Sequence, residues 1–200
     1  MEITQINHFK AVVVGASAGG IKALSHVLAP LPADFSLPII VVQHLHPHSD
    51  GYLVHILQEK CQLKIKQADE KEVIRPGFVY IAPPNYHLLI EEDGTFALSL
   101  DMPVNYSRPA IDVLFETAAY AYQEKLIAII LTGANNDGSN GLKFIKELGG
   151  YAIVEDPTTA HVPIMPNAAI AATTVDKILA VENIGIYLIQ LVNRSMRENN

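Results

Sequence analysis

The chain has 200 residues, half of them apolar and 18% charged, which suits one domain with a well-buried core and excludes a disordered segment. Its net charge of −7 repels phosphate backbones, so nucleic acid is not an expected partner. No apolar run approaches the ~20 residues of a membrane span and the start lacks the pattern of a secretory signal, so a cytoplasmic protein without membrane insertion is expected.

In chain order, short apolar runs alternate with longer amphipathic stretches. Strands are predicted at Ala11–Val14, Pro38–Val42, Phe78–Ala82, Leu126–Leu131 and Tyr151–Val154. Most are continuously apolar, as strands buried on both faces are. Helices are predicted at Gly20–Leu28, Ser49–Lys60, Pro109–Gln123, Gly141–Leu148, Pro166–Ala172 and Glu182–Met196. Such alternation specifies a doubly wound α/β fold: a mostly parallel sheet with helices on both faces. His87–Glu91 and Thr95–Leu100 flank an Asp93-Gly94 step, a hairpin signal, and an antiparallel pair is expected at the sheet edge. One domain over residues 1–200 is expected, with its core at about 10–195 and a fraying polar end from Arg194.

Ligands of such sheets bind beyond the carboxyl ends of the strands, so the loops that follow strands carry the chemistry. Gly15-Ala16-Ser17-Ala18-Gly19-Gly20 follows the first strand; small residues permit a sharp turn that presents Ser17 in front of a helix N-terminus. Ser17 could also serve only as a helix cap. Gln43-His44-Leu45-His46-Pro47-His48 follows the second strand and offers His44 as a candidate general base. Three alternating histidines could instead hold a metal, but Pro47 breaks the alternation and no acidic or thiol ligand is near; His46 and His48 are read as solvated. Thr132 to Gly141 follows the most apolar strand, with Asp137 as candidate orienting acid. Its alternative role is to cap the helix that starts near Gly141. Together the loops supply nucleophile, base and acid, in the order Ser, His, Asp. No metal or organic cofactor is required. The lone cysteine, Cys61, has no base beside it and is read as structural.

Competing enzyme classes fit less well. The glycine spacing is wrong for a dinucleotide fingerprint, the second strand ends in Gln43-His44 rather than an acid, and Lys22 lacks a phosphate-loop context. A binding module on the same fold would lack an activated serine.

At these loops the sequence resembles the CheB family of chemotaxis protein-glutamate methylesterases. The resemblance rests on Gly15–Gly20, on Val41-Val42-Gln43-His44, and on Leu131-Thr132-Gly133 with Asn136-Asp137-Gly138. Further matches are Ile81-Ala82-Pro83 with His87, Ser107-Arg108-Pro109 with Asp112–Phe115, and Met165-Pro166 with Ala168–Ala172. They run in the family's order from about Ala11 to Val192. The resemblance implies Ser17 as nucleophile, His44 as base, Asp137 as acid, and backbone N–H groups of Ala134 and Ala18 as the oxyanion hole. It makes His87, Met165 and Asn136 candidate substrate-binding residues. It implies a methylated glutamate on the cytoplasmic helices of a chemoreceptor as substrate, with deamidation of receptor glutamines as a second reaction. A shallow, open cleft is expected, walled by His46–Gly51 and Asp156–Pro166. The sequence departs from the family pattern in Ala18 for threonine and in Ala134-Asn135 for Met-Gly. The family's N-terminal receiver domain finds no room before Ala11, so the regulator is unspecified.

Overall fold

The computed structural model describes residues 9–44 and 52–197. Seven strands form one parallel sheet: β1 (Ala11–Ala16), β2 (Ile39–Gln43), β3 (Lys64–Gln67), β4 (Phe78–Ile81), β7 (Leu126–Ile130), β8 (Tyr151–Glu155) and β9 (Lys177–Leu179). Their order is β3-β4-β2-β1-β7-β8-β9. The chain starts at the centre, builds outward through β2, then returns to the other side of β1 at β7. The order therefore reverses beside β1, and a crevice opens between the carboxyl ends of β1 and β7. Ser17 and the loop from Thr132 sit at those two ends.

Successive side chains of the central strands enter opposite cores. Val12, Val14, Ile39, Val41, Ile127 and Ile129 face one cluster. That layer is closed by α1 (Gly20–Leu28), α2 (Tyr52–Gln58) and α6 (Val181–Arg197). Val13, Ile40, Val42, Ala128 and Ile130 face the other cluster. It is closed by α3 (Ile111–Tyr122), α4 (Ser139–Glu147) and α5 (Ile164–Ala172). With both faces covered, polarity cannot alternate along the strand, which is why the runs read as unbroken apolar sequence.

The five predicted strands and six predicted helices are present with shifted ends. Two strands, β3 and β9, are not in the sequence reading. Both lie at sheet edges and are short; β3 is largely polar, and β9 has two of its three residues exposed. The predicted hairpin forms as β5 (His87–Ile90) and β6 (Phe96–Ser99). It does not extend the main sheet but stands as its own two-stranded sheet. Leu88, Ile90 and Phe96 join the α3-side core, so the hairpin's apolar face is buried against that layer rather than at the sheet edge. Pro166 lies within the first turn of α5, where a missing N–H costs nothing. Among the described residues no helix is long and apolar enough to cross a membrane. Residues Ser49–Gly51 of the predicted second helix and the His46–Gly51 wall lie outside the described residues.

Helix α6 crosses α1 at Gly185, where a methyl group would meet the Val27 backbone carbonyl and Pro30. Alanine would gain up to ~1 kcal/mol in helix propensity, but overpacking against rigid backbone costs ~1–3 kcal/mol. Gly185→Ala is therefore expected to lower the thermal midpoint while leaving activity per folded molecule intact. A raised midpoint in thermal denaturation would show that the two helices separate freely.

Candidate active site

Ser17 follows β1 in a turn held from three directions. Its N–H donates to the Thr132 carbonyl at 3.0 Å. Its own carbonyl accepts from Gly20 N–H at 2.8 Å. The same carbonyl accepts from Gln43 Nε2 at 2.9 Å. Gly19, at φ 82°, is the residue that caps α1, and it makes no side-chain capping bond. The Ser17 side chain is not spent on the helix; it faces His44. A side chain on residue 20 would collide with Gln43 Oε1 and Ala16 Cβ, so the turn needs glycine there.

His44 continues the β2 ladder, its N–H donating to the Ala16 carbonyl at 3.0 Å. Its Nδ1 lies 3.2 Å from Ser17 Oγ. Its Nε2 lies 2.8 Å from Asp137 Oδ2. The carboxylate can only accept, so the ring proton belongs on Nε2 and the Nδ1 lone pair faces the hydroxyl. The ring is used in the reverse sense to the chymotrypsin arrangement, where Nε2 faces the serine.

Asp137 is fully buried. Four donors surround it. Oδ2 accepts from His44 Nε2 and, at 2.7 Å, from Ile111 N–H. Oδ1 accepts from Asn105 Nδ2 at 3.0 Å and Asp112 N–H at 3.1 Å. Ile111 and Asp112 open α3, whose own cap residue, Ala110, has no side chain to offer. Asp137 therefore does cap a helix, but it caps α3 rather than the helix at Gly141. Capping and orienting are compatible because each oxygen takes one bond from the helix and one from a side chain. Burial alone would raise this carboxyl; the bonds from His44, Asn105, Ile111 and Asp112 outweigh it and hold it below the ordinary carboxylate range.

Asp112 returns the favour to α4. Its Oδ1 accepts from Gly141 N–H at 2.7 Å, and its Oδ2 accepts from Asn105 Nδ2 at 2.9 Å. Burial, then the charge of Asp137, push this carboxyl above its usual range. Thr132 locks the β7 loop: its N–H donates to Glu155 Oε2 at 2.7 Å and its hydroxyl donates to the Ala18 carbonyl at 2.9 Å. Burial lifts the Glu155 carboxyl as well.

The other sequence candidates fall in different settings. Ala18 and Ala134 are exposed on the loops that flank Ser17. Asn136 is exposed on the β7 loop, and its carbonyl accepts from the Ser139 hydroxyl at 2.7 Å. Met165 is 1% exposed; its N–H donates to the Gly133 carbonyl at 3.0 Å and its thioether lies against Gly133. It supports the loop from behind instead of facing the opening. His87 is equally buried, and both ring nitrogens are engaged. Nδ1 accepts from Ala110 N–H at 3.2 Å and Nε2 donates to the Met102 carbonyl at 3.2 Å. These bonds anchor it beneath the start of α3. Of the expected walls, segment 156–166 borders the site: Val162 carbonyl accepts from Gly133 N–H at 3.1 Å and His161 packs on Gly19. A cleft of about 510 Å³ open to solvent runs from Ser17 and His44 towards Lys22 and Lys60.

Gln43, Asn105, Asn135 and Asp112 are site residues that motif reading did not assign roles to. A buried glutamine ending an apolar strand is a usable signal for Gln43. Asn105 carries none, since its bond to Asp137 spans 32 positions. Asn135 Nδ2 lies 3.5 Å from His44 Nδ1, a long contact, and its Oδ1 accepts from Asp137 N–H at 3.2 Å. Among the described residues no group of three or more His, Cys, Asp or Glu gathers as a metal site. His46 and His48 lie outside the described residues. Cys61 is partly buried, and burial pushes its thiol up to about 11, which leaves it unreactive.

Asp137→Asn should cost ~1–3 kcal/mol at neutral pH, because the four surrounding donors lose an ionised acceptor. A lowered folded pKa contributes stability that is complete above the unfolded value of ~3.9 and is lost as pH falls through the folded value. The difference between wild type and Asp137→Asn in chemical denaturation should thus be largest at neutral pH and shrink below pH ~4. A difference that grows on acidification would contradict the assignment.

The CheB methylesterase family model matches residues 12–188. A Leptospira interrogans protein, provisionally named as a protein-glutamate methylesterase/protein-glutamine glutaminase, is 53% identical over 191 residues, 96% of this chain and 99% of that protein. The protein-glutamate methylesterase/protein-glutamine glutaminase of Thermotoga maritima is 40% identical over 92% of this chain, but the match spans 54% of the relative. That of Clostridium acetobutylicum is 36% identical over 92% of this chain and 53% of its own length. The crystal structure of the Thermotoga maritima CheB methylesterase catalytic domain superposes with a TM-score of 0.89 at 39% identity, covering 92% of this chain and 99% of that one. The chain belongs to the CheB methylesterase family.

Proposed function

We propose that this protein is a serine esterase that demethylates glutamate methyl esters on the cytoplasmic helices of a chemoreceptor, with Ser17, His44 and Asp137 as its triad. The observation that carries the reading is the continuous path from Ser17 Oγ through both ring nitrogens of His44 to the buried Asp137 carboxylate. The names of the relatives support the ester substrate, and their second name supports glutamine deamidation at the same centre.

Ser17 Oγ attacks the ester carbonyl while His44 Nδ1 accepts its proton. The tetrahedral oxyanion is held by the backbone N–H groups of Ala134 and Ala18. His44 passes the proton to the departing methoxide and methanol leaves. Water then attacks the acyl-serine, again through His44, releasing a glutamate carboxylate and restoring Ser17. With a glutamine side chain the leaving group is ammonia. Asp137 stabilises the imidazolium formed in each step. Asn136, exposed on the β7 loop, is available to meet substrate, and an open cleft suits a helical protein substrate. No metal or organic cofactor enters the scheme. The receptor's cytoplasmic helices make the cytoplasm the site of reaction.

Methanol release from methylated receptor fragments should be abolished in Ser17→Ala, a fall of ~10⁶-fold in kcat if the group acts as other triads do. Asp137→Asn should lose ~10⁴-fold. Stoichiometric labelling of Ser17 by a fluorophosphonate without methanol release would mean a working hydrolase with another ester. Absence of both would leave a binding protein on the same fold.

A further inference from the structure

Outside the proposed triad, one side chain is tied to two buried carboxylates at once. Asn105 donates one amide hydrogen to Asp112 Oδ2 at 2.9 Å and the other to Asp137 Oδ1 at 3.0 Å. Asp112 is 4% exposed and Asp137 is 0% exposed. Two like charges in a common buried site repel, and a neutral group with two donors is the smallest bridge that satisfies both.

The backbone is bent to place that amide. Val104 and Ser107 exchange both backbone bonds, at 3.1 and 2.9 Å, around a two-residue turn. Asn105 and Tyr106 both have positive φ, 50° and 61°. Asparagine tolerates this conformation; tyrosine does so at a cost of order 1 kcal/mol. Tyr106 is fully exposed, so its side chain does nothing to repay that cost by burial. The segment is anchored on both sides. The Arg108 guanidinium donates to the Leu100 and Asp101 carbonyls, and His87 donates to that of Met102. A turn held in strain with one inward side chain is a device for aiming that side chain.

We propose that Asn105 is a positioning residue of the reaction: its amide holds Asp137 Oδ1 so that Oδ2 stays aimed at His44 Nε2. The proposal rests on the triad reading. Ile111 N–H shares Oδ2 with His44, and Asp112 N–H shares Oδ1 with Asn105. Without the amide, Oδ1 keeps only its bond from Asp112 N–H, and the two carboxylates lose the donor that bridges them.

The test uses Asn105→Gly, which suits the left-handed turn and deletes only the amide, with Tyr106→Gly as the control that relaxes the turn and keeps it. Asn105→Gly is expected to lower kcat for methylated receptor fragment by 10- to 100-fold with KM nearly unchanged, and to slow fluorophosphonate labelling equally. Tyr106→Gly should retain wild-type values. Asn105→Asp puts a third carboxylate beside Asp112 and Asp137, with His44 facing the same cluster and Glu116 beyond Asp112. Its rate should fall further at neutral pH and recover partly as pH is lowered, unlike that of Asn105→Gly. A second readout needs no turnover. The low-field proton resonance of His44 Nε2–H, identified by its loss in His44→Ala, should move upfield and exchange faster in Asn105→Gly. If wild-type protein releases no methanol and is not labelled, the triad reading fails, while the resonance still reports whether Asn105 positions the pair. An unchanged resonance and labelling rate in folded Asn105→Gly would overturn the proposal. If the glycine variant does not fold, Asn105→Ser, too short to span both carboxylates, takes its place under the same criteria.

Discussion

Burying the carboxylate of Asp137 obliges the fold to bring four donors to it. The ordinary cost of removing a charge from water is several kcal/mol, and only close donors offset it. Those donors come from β2, from the first turn of α3, and from the turn at Asn105, so three separate segments have to converge at one point. Much of the architecture around the site follows from that requirement. Helix α3 starts without a capping side chain of its own because Asp137 supplies one, and α4 receives its acceptor from Asp112 on α3. The two helices cap each other's neighbourhoods, so the carboxylate that orients the histidine also ties the helical layer to the β7 loop.

The Ser17 side is built on a different physical basis. No charge is buried at Ser17; its position comes from close backbone packing. Gly133 lies between Met165 and Ser17, where a side chain would strike both. Thr132 joins the loop to Ala18, Val162 and Glu155. Gln43 clamps the Ser17 carbonyl. The result is a hydroxyl whose backbone cannot drift, facing a ring whose orientation is set from the opposite side. Preorganisation of this kind is what transition-state stabilisation by fixed donors requires.

Much of this was readable from the chain. Unbroken apolar runs such as Leu126–Leu131 fit strands covered on both faces, and their alternation with amphipathic stretches specifies the doubly wound sheet. The loops after β1, β2 and β7 announced themselves by glycine and polar density. What escaped reading had physical causes. Strands β3 and β9 carry exposed polar residues because edges are not covered. The hairpin's docking on the α3 layer depends on which face finds a partner, and local alternation is silent on that. His87 and Met165 became binding candidates through the family resemblance, which carries no information on burial. Burial to 1% leaves each of them an internal role.

The division between sequence and tertiary structure therefore runs along distance in the chain. Sequence alone determined the order of elements, the sheet class, and the three residue types that meet at the sheet's carboxyl edge, since these rest on local periodicity and turn chemistry. Only the folded chain decided that Asp137 caps α3 and not the adjacent helix, that His44 presents Nδ1 to the serine, and that Asn105 joins two carboxylates. Each of those depends on a contact across 25 to 93 positions. A hydrogen bond at that separation leaves no periodic trace, because its partner is chosen by packing rather than by its neighbours in sequence.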